Sequence, residues 1–292
     1  MEHKISNGII SVTVSSRGGE IKEISTIDGV QYLWRGSMDY WPGSAPHLFP
    51  FIGRLFEGRY IYDGVSYPLS IHGFLKDCEL SLESKTQDSL VLRLEANKQT
   101  LACYPFDFVL KVSYLLEDNR VRLGFEINNL DEKEMPFAIG GHPGFNVPLE
   151  ENLAFDDYYL EFDEFCSPLR TQPTETNLLN GMFEDFSIED GRRLYLKHDL
   201  FDQDAIILKD TASGVILKSD KGSRAVHVSF VGFPYIGFWH TVKSDAPFVC
   251  IEPWTALQGY EDKVEEIDSN DDMIRLGKGE TYANEIIITI IE

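Results

Sequence analysis

Residues 121–128, with the sequence VRLGFEIN, alternate between large apolar side chains at the odd positions and polar or small ones at the even positions. Successive side chains of a β-strand point to opposite faces of a sheet, so this period of two predicts a strand with one buried face. The same alternation occurs at Ile10–Ser15 and at Leu90–Glu95. We therefore predict three such half-buried strands.

Eight further segments are rich in β-branched and aromatic residues and predict additional strands. Between them, Glu117–Asn119 and Asp210–Gly214 predict hairpin turns, with Gly214 free to adopt a positive φ. The eight segments are Phe108–Leu116, Tyr158–Phe162, Ala205–Leu208, Val215–Lys218, Ala225–Val231, Tyr235–Val242, Phe248–Glu252 and Asn284–Ile291.

Helical periodicity is scarce and predicts only short turns near Ala45–Leu48 and Asp262–Ile267. A doubly wound parallel sheet needs a helix of about 10 residues or more between successive strands, and none is predicted. Residues 163–203 are the least regular stretch and predict long loops. The expected fold class is all-β, a large antiparallel β-sandwich in which residues 1–292 form a single domain.

The charge of the chain restricts its partners. There are 26 Lys plus Arg against 48 Asp plus Glu, a net charge of −22. Such a charge repels phosphate backbones and anionic headgroups, so neither nucleic acid nor a membrane surface is an expected partner. An anionic substrate is also disfavoured unless arginines cluster locally, and most of the acids are expected at the solvated surface.

The chain shows no targeting or crosslinking features. Met1–Lys4 lacks the basic and apolar parts of a signal peptide, and no apolar run approaches the about 18 residues needed to span a bilayer. The four cysteines, Cys78, Cys103, Cys166 and Cys250, form no Cys-x-x-Cys pair or Cys/His cluster and predict buried free thiols. A cytoplasmic location is expected.

Five segments set polar residues among Gly, Pro and aromatic residues at strand ends, where functional loops tend to lie. Taken alone, Arg54 fits an arginine that extends to the surface, and His72 fits a structural histidine. The segments are Phe49–Arg54, Ser70–Phe74, Gly140–Asn146, Leu200–Ile206 and Phe248–Trp254.

His142 and Glu252 give stronger indications of function. Three glycines and a proline surround His142, which is more than a simple turn requires. Glu252 ends an apolar strand, where desolvation would raise its pKa and suit a general base, although a buried ion pair with Arg54 is the alternative. Asp204 abuts an apolar run while Asp202 fits an exposed loop, and the choice between them stays open.

Histidine and glutamate are the commonest acid and base side chains, and a facing pair could protonate one oxygen while deprotonating another. The same segments carry side chains that could hold a neutral, hydroxyl-rich ligand through polar contacts or through the C–H face of a sugar. They are Arg54, His72, Asp204, Phe74, Trp239 and Trp254.

Other kinds of site are not indicated. The sequence has no Gly-x-Ser-x-Gly, phosphate-loop or dinucleotide-binding motif, and no His-x-x-x-His or comparable zinc spacing. Asp268, Asn270 and Asp272 begin like a calcium loop, but Met273 replaces the required glycine and Gly279 replaces the bidentate glutamate.

In this order, the segments resemble the motifs of the aldose 1-epimerase (galactose mutarotase) family, and His-Pro-Gly-Phe-Asn is most similar to its LacX-type subgroup. The resemblance implies a galactose-mutarotase-like β-sandwich that interconverts the α and β anomers of a free aldose such as galactose or glucose, with no metal or organic cofactor. It rests on Ile52–Arg54, Ile71–Phe74, Gly141–Asn146, Asp204–Ile207, Cys250–Trp254 and the later Leu276–Thr281.

The resemblance also implies roles for individual residues. Glu252 would take the proton of the C1 hydroxyl as general base, and His142 would protonate the ring oxygen as general acid. The ring then opens, the C1–C2 bond rotates, and closure gives the other anomer. Arg54 and His72 would hold the sugar near its ring oxygen, and Asp204 would accept a hydrogen bond from a hydroxyl.

Two departures leave the preferred sugar open. Galactose-specific members usually have His-Thr-Tyr where this chain has His142-Pro143-Gly144, and Asn where it has Gly53. One alternative is a hexose-6-phosphate 1-epimerase, which needs a cationic phosphate site. Another is a non-catalytic sugar-binding or regulatory protein on the same fold. The oligomeric state is not indicated.

Overall fold

The computed structural model of the protein describes all 292 residues. It contains one helix, α1 (Lys98–Cys103), and short 3₁₀ turns at Phe56–Gly58, Leu75–Asp77, Phe155–Asp157 and His198–Phe201. The strands are β1 (Glu2–Ser6), β2 (Ile10–Ser15), β3 (Ile21–Thr26), β4 (His47–Leu48), β5 (Arg59–Tyr62), β6 (Val65–Pro68), β7 (Ser81–Lys85), β8 (Ser89–Glu95), β9 (Phe108–Glu117), β10 (Arg120–Asn129), β11 (Met135–Phe137), β12 (Gly140–Gly141), β13 (Gly144–Asn146), β14 (Tyr159–Phe162), β15 (Leu169–Thr171), β16 (Phe183–Asp185), β17 (Arg193–Tyr195), β18 (Ile206–Lys209), β19 (Gly214–Lys218), β20 (Ala225–Ser229), β21 (Tyr235–Trp239), β22 (Phe248–Trp254), β23 (Glu265–Glu266), β24 (Ile274–Leu276) and β25 (Thr281–Ile291).

Two large sheets dominate the fold. A nine-stranded sheet has the order β17-β14-β19-β20-β25-β10-β9-β8-β7, and an eight-stranded sheet has the order β16-β15-β18-β21-β22-β12-β4, with β13 also paired to β22. Three small sheets join β1-β2-β3, β11-β24 and β23-β5-β6. The strand pairs are antiparallel except for β23 with β5. The predicted all-β, antiparallel fold class is confirmed.

Side chains of both large sheets meet in one core. The four apolar residues of segment 121–128 are all buried on β10, as their alternation predicts. Phe162 on β14 packs against Phe238 on β21, with ring centroids 6.1 Å apart. The core comprises 69 buried residues and extends from Ile5 to Ile290. The single domain over residues 1–292 stays a prediction.

The predicted helical turns are wrong. His47–Leu48 and Glu265–Glu266 are two-residue strands, which are too short to show a period of two. The α-helix instead begins after Asn97, whose side chain accepts hydrogen bonds from two N–H groups of the first turn. The hydroxyl oxygen of Thr100 in turn accepts from the backbone N–H of Asn97 and completes a capping box.

One predicted hairpin is confirmed and one is wrong. Residues 117–119 connect β9 to its partner β10, with Asp118 at φ 52°. Residues 210–214 instead pass from one large sheet to the other, because β18 and β19 lie in different sheets. Asp210, not Gly214, takes the positive φ (58°). Gly214 is required for space, since a Cβ there would lie 2.0 Å from Oδ2 of Asp163.

Residues 163–203, predicted as long loops, contain three three-residue strands, β15–β17, among loops.

No helical segment has the length and apolar content needed to cross a bilayer. The four cysteines are free, as predicted, but only Cys250 is buried. The prediction of burial is wrong for Cys78, Cys103 and Cys166, which are half-buried.

Candidate active site

Glu252 projects from β22, in the interior of the eight-stranded sheet. This strand pairs with β21 on one side and with β12 and β13 on the other. Every residue of β22 is buried, and Glu252 itself is only 1 % exposed. A carboxyl group in this position has lost its hydration and requires a polar partner.

His142 is that partner, and the backbone positions it. It lies between β12 and β13, and its N–H donates to the carbonyl oxygen of Pro46 at 3.0 Å. Gly140 allows the chain to pass close to β22, because a Cβ there would lie 2.8 Å from the carbonyl oxygen of Pro253. As a result, Nε2 of His142 lies 3.2 Å from Oε2 of Glu252. The carboxyl group is therefore paired with His142 and not with Arg54.

Burial determines the protonation of this pair. It lowers the pKa of His142 to about 4. It raises the pKa of the Glu252 carboxyl well above its ordinary value, with the nearby charge of Asp204 as the second cause. Both shifts disfavour separated charges, so the resting pair holds one proton between the two groups. Transfer of that proton between the two groups, whose nearest atoms are 3.2 Å apart, would interconvert the neutral pair and the carboxylate–imidazolium pair.

Several buried polar atoms around the pair have no hydrogen-bond partner. They include Nδ1 of His142, Oε1 of Glu252 and Nε1 of Trp254. The Trp254 indole is nevertheless close enough to Glu252 to oppose the rise of its pKa. Each unpartnered buried group costs about 1–3 kcal/mol, and a group of them beside an acid–base pair is typical of a site that a polar ligand completes.

His72 lies next to the pair, with its ring edge-on to that of His142 at a centroid distance of 5.6 Å. Its φ is 63°, and the following Gly73 passes so close to Phe49 that a Cβ would lie 2.1 Å from the carbonyl oxygen. Burial, followed by the influence of His142, lowers the pKa of His72 well below its ordinary value. Its Nδ1 accepts from the N–H of Gly53 at 3.1 Å, so the neutral ring carries its proton on Nε2 and can donate to a ligand.

Asp204, not Asp202, lies near the pair. The charge of Asp204 contributes to the raised pKa of Glu252, while the Asp202 side chain is exposed. Asn177 donates from Nδ2 to Oδ2 of Asp204 at 2.6 Å and so orients the carboxylate. The backbone of Asp204 has a φ of 75°, which turns the chain immediately before β18.

Arg54 and Phe74, which were also predicted to bind sugar, lie in different environments. Arg54 is exposed, and its charge is the weakest of the causes that lower the pKa of His72, so it lies in the neighbourhood of that ring. Phe74 packs edge-on against Phe49 at 5.8 Å and stacks with Phe108 at 6.2 Å. Its ring is partly buried and packs against the core, and its contact with a sugar stays a prediction.

Trp41 is a site residue that sequence reasoning missed. Its ring stacks on His142 with centroids 4.9 Å apart and an interplanar angle of 28°. Trp239, which the sequence did indicate, meets His142 edge-on at 5.7 Å. Trp41 lies in the irregular segment between β3 and β4 and has no strand pattern. The sequence signal that could have identified Trp41 is the run Trp41-Pro42-Gly43. Gly43 is needed there because a Cβ would lie 2.5 Å from the Trp41 indole.

A separate surface cavity of about 480 Å³ lies beside His198, away from the acid–base pair. Nδ1 of His198 is 3.2 Å from Nε2 of the buried His240. His198 also stacks on Phe155 at 4.0 Å. Because this cavity contains neither His142 nor Glu252, it has no part in the site described above.

Comparison with known proteins matches residues 1–289 to the family model described as aldose 1-epimerase. The plasmid and chromosomal LacX proteins of Lactococcus lactis subsp. lactis are 36 % identical over 266 residues, 88 % of each chain. The galactose mutarotase related enzyme of Lactobacillus acidophilus superposes with a TM-score of 0.94 at 29 % identity, covering 99 % of this chain and 97 % of that one. The galactose mutarotase-like protein of Lactobacillus casei ATCC 334 superposes with a TM-score of 0.93 at 29 % identity, covering 99 % of this chain and 100 % of that one. The resemblance drawn from the sequence is confirmed.

Proposed function

This chain belongs to the aldose 1-epimerase family, and we propose that it interconverts the α and β anomers of a free aldose such as glucose or galactose. The observation that carries the proposal is the buried contact of 3.2 Å between His142 and Glu252, surrounded by unpartnered polar atoms. Anomer exchange requires one group to take a proton from the C1 hydroxyl and another to give a proton to the ring oxygen. The pair can do both.

In the proposed reaction, the sugar binds to the carboxylate–imidazolium form of the pair. Glu252 accepts the C1 hydroxyl proton as the bond between C1 and the ring oxygen breaks, and His142 gives its proton to that oxygen. The product is the open-chain aldehyde, with a protonated Glu252 and a neutral His142. Rotation about C1–C2 presents the other face of the carbonyl, and the reverse transfers close the ring. The number of protons on the pair is the same before and after the cycle.

The resting protonation of the His142–Glu252 pair matches its state after ring opening. Burial keeps the proton on Glu252 and leaves His142 neutral, which is the distribution that follows ring opening. Binding of a cyclic sugar must therefore help to move the proton to His142. We assign His72 to donate from Nε2–H to a sugar oxygen and Asp204 to accept from a hydroxyl. Both would orient the sugar for the transfer.

A free aldose fits this site better than a sugar phosphate. The chain has a net charge of −22, and Asp204 adds a negative charge beside the pair. Arg54 is one exposed cation near His72. Lys76 also influences His72, but its Nζ is held by Asp77 at 3.2 Å. A phosphate site would be expected to gather several uncommitted cations.

A non-catalytic sugar-binding protein on the same fold remains the competing function. Binding alone would not require a carboxyl group that is 1 % exposed and faces an imidazole that is 8 % exposed, because such burial lowers the stability of the fold. The arrangement is suited to proton transfer, and this favours an enzyme.

The proposal is tested by polarimetry of freshly dissolved α-glucose and α-galactose, with glucose 6-phosphate as the comparison substrate. We expect the protein to accelerate the approach to anomeric equilibrium for at least one of the free sugars and to act more slowly on the phosphate. Rates equal to those in buffer for both free sugars would reject the proposal. Faster turnover of glucose 6-phosphate would replace it with the hexose-6-phosphate alternative.

A further inference from the structure

Cys250 is a buried thiol that the proposed reaction does not use. It lies two residues before Glu252 on β22, so the two side chains project from the same face of the sheet. The thiol is fully buried and stands opposite Gly144 on β13. A Cβ on Gly144 would lie 3.4 Å from Sγ and 3.2 Å from the Trp41 indole, so the glycine itself adds no side chain against the sulfur.

The thiol belongs to a compact group of potential metal ligands. The ligand atoms of His142, Cys250 and Glu252 all lie within 4.8 Å of one another. Tetrahedral Zn²⁺, with bonds of about 2.0–2.3 Å, holds its ligand atoms about 3.3–3.6 Å apart. The contact of 3.2 Å between His142 and Glu252 already has nearly this spacing. Oε1 of Glu252 and Nδ1 of His142 are buried without partners, so the group has unused bonding capacity.

We propose that His142, Cys250 and Glu252 form a binding site for Zn²⁺, and that Zn²⁺ bound there inhibits the enzyme by occupying its acid and its base. One sulfur, one nitrogen and one oxygen ligand are a set that zinc accepts readily, and they leave a fourth position for water. The inhibition rests on the proposed function, while the binding does not.

The charges of the group suit a divalent cation. A thiolate, a carboxylate and a neutral imidazole balance the two positive charges of Zn²⁺, so the complete site is neutral in a buried environment. Binding releases two protons, one from the Cys250 thiol and one from the His142–Glu252 pair. The affinity for Zn²⁺ should therefore rise with pH. Asp204 adds a further negative charge near the site, which favours a cation.

Binding is tested on the full chain with Zn²⁺ alone, in competition with a chromophoric chelator, and with Co²⁺ as a spectroscopic substitute. The wild type should bind Zn²⁺ and give a thiolate-to-cobalt charge-transfer band. Cys250→Ser should lose the band and bind Zn²⁺ at least about tenfold more weakly, because one of three ligands is gone. Cys166→Ser is the matched control, since it removes a half-buried thiol elsewhere and should bind as the wild type does.

Inhibition is tested in the epimerisation assay. Zn²⁺ should inhibit the wild type, EDTA should restore the rate, and excess aldose should protect. Cys250→Ser should keep the uninhibited rate and require at least about tenfold more Zn²⁺ for half inhibition. If that variant does not fold by circular dichroism, Cys250→Ala replaces it, and the cobalt band of the wild type decides whether the thiol is a ligand.

The outcomes separate this inference from the proposed function. Absence of the cobalt band in the wild type, or unchanged Zn²⁺ affinity in the folded Cys250 variant, overturns the metal site. Zn²⁺ binding through Cys250 in a protein that exchanges no sugar anomers would leave the site intact and reject the enzyme. An active enzyme that Zn²⁺ binds without inhibiting would reject the regulatory part.

Discussion

Nε2 of His142 lies 3.2 Å from Oε2 of Glu252, and both side chains are almost fully buried. The two residues are distant in sequence, and sheet pairing of β12 and β13 with β22 brings them together. Burial keeps both groups uncharged at rest, so that one proton is available for transfer in either direction. The proposed chemistry follows from this single contact.

Trp41→Leu should reduce kcat more than it raises KM. The indole stacks on His142 at 4.9 Å, so it both orients the imidazole and stabilises its cationic form. A contribution of about 1.4 kcal/mol would correspond to a tenfold lower kcat. Trp41→Phe keeps an aromatic face and should restore most of the rate. The measurement is kcat and KM across pH.

Trp34→Leu is the control for this prediction. Trp34 stacks on Phe248 in the same aromatic cluster, and its ring contacts are with Phe248 and Tyr40 rather than with His142. If Trp34→Leu and Trp41→Leu lower kcat equally, the effect of Trp41 is structural and the positioning role is wrong.

Asp204→Asn should affect both substrate binding and the pH profile. It removes an acceptor for a sugar hydroxyl and should raise KM by about tenfold, the typical loss for a charge-assisted hydrogen bond. It also removes a charge that raises the pKa of Glu252, so the profile of kcat/KM should shift to lower pH. Asp202→Asn, which changes an exposed carboxylate, should alter neither quantity. Equal effects of the two variants would contradict the assignment of Asp204.

The buried histidines predict that the fold loses stability in mild acid. Burial lowers the pKa of His47, His142 and His240 to about 4. In the unfolded chain these groups titrate near about 6.5, so between about pH 6.5 and 4 the unfolded state binds more protons and the free energy of unfolding falls as pH falls. The raised pKa of Glu252 offsets part of this loss of stability, because folded Glu252 retains a proton that the unfolded chain releases.

His47→Gln isolates one of these contributions outside the site. It should reduce the slope of the free energy of unfolding against pH by about 1.4 kcal/mol per pH unit in this range. Urea unfolding from pH 7 to pH 5 measures the slope. Tyr114→Phe removes the hydroxyl 2.7 Å from Nε2 of His47 but keeps the imidazole, and should lower stability with little change in slope. An unchanged slope in His47→Gln would show that His47 does not titrate as described.

The sequence predicts those parts of this protein in which burial imposes a period. Segment 121–128 alternates because one face of β10 joins the core. Residues 210–214 contain turn-forming residues, but local chemistry does not indicate which sheet receives the next strand, and β19 pairs in the other sheet. Two-residue strands such as His47–Leu48 are fixed by their partners and carry no pattern of their own.

In the site, too, some residues could be predicted from local sequence and others only from the folded structure. His142 and Glu252 could be identified because each interrupts an apolar or glycine-rich segment with one group suited to proton transfer. Phe74 follows His72 by two residues, yet its ring packs against Phe49 while the ring of His72 lies edge-on to His142. Trp41 acquires its role only through the folding of an irregular segment over His142, which no local pattern specifies.

The most direct test of the central claim is magnetisation exchange between the α and β anomeric protons of glucose and galactose at equilibrium. Wild-type protein should accelerate the exchange for at least one sugar. Glu252→Gln should lose about a hundredfold or more of that rate while remaining folded, since the amide fills the same space. Glu265→Gln, which changes a buried glutamate on β23 outside the pair, should keep the rate. No acceleration of either sugar by the wild type, or full activity in Glu252→Gln, would contradict the account.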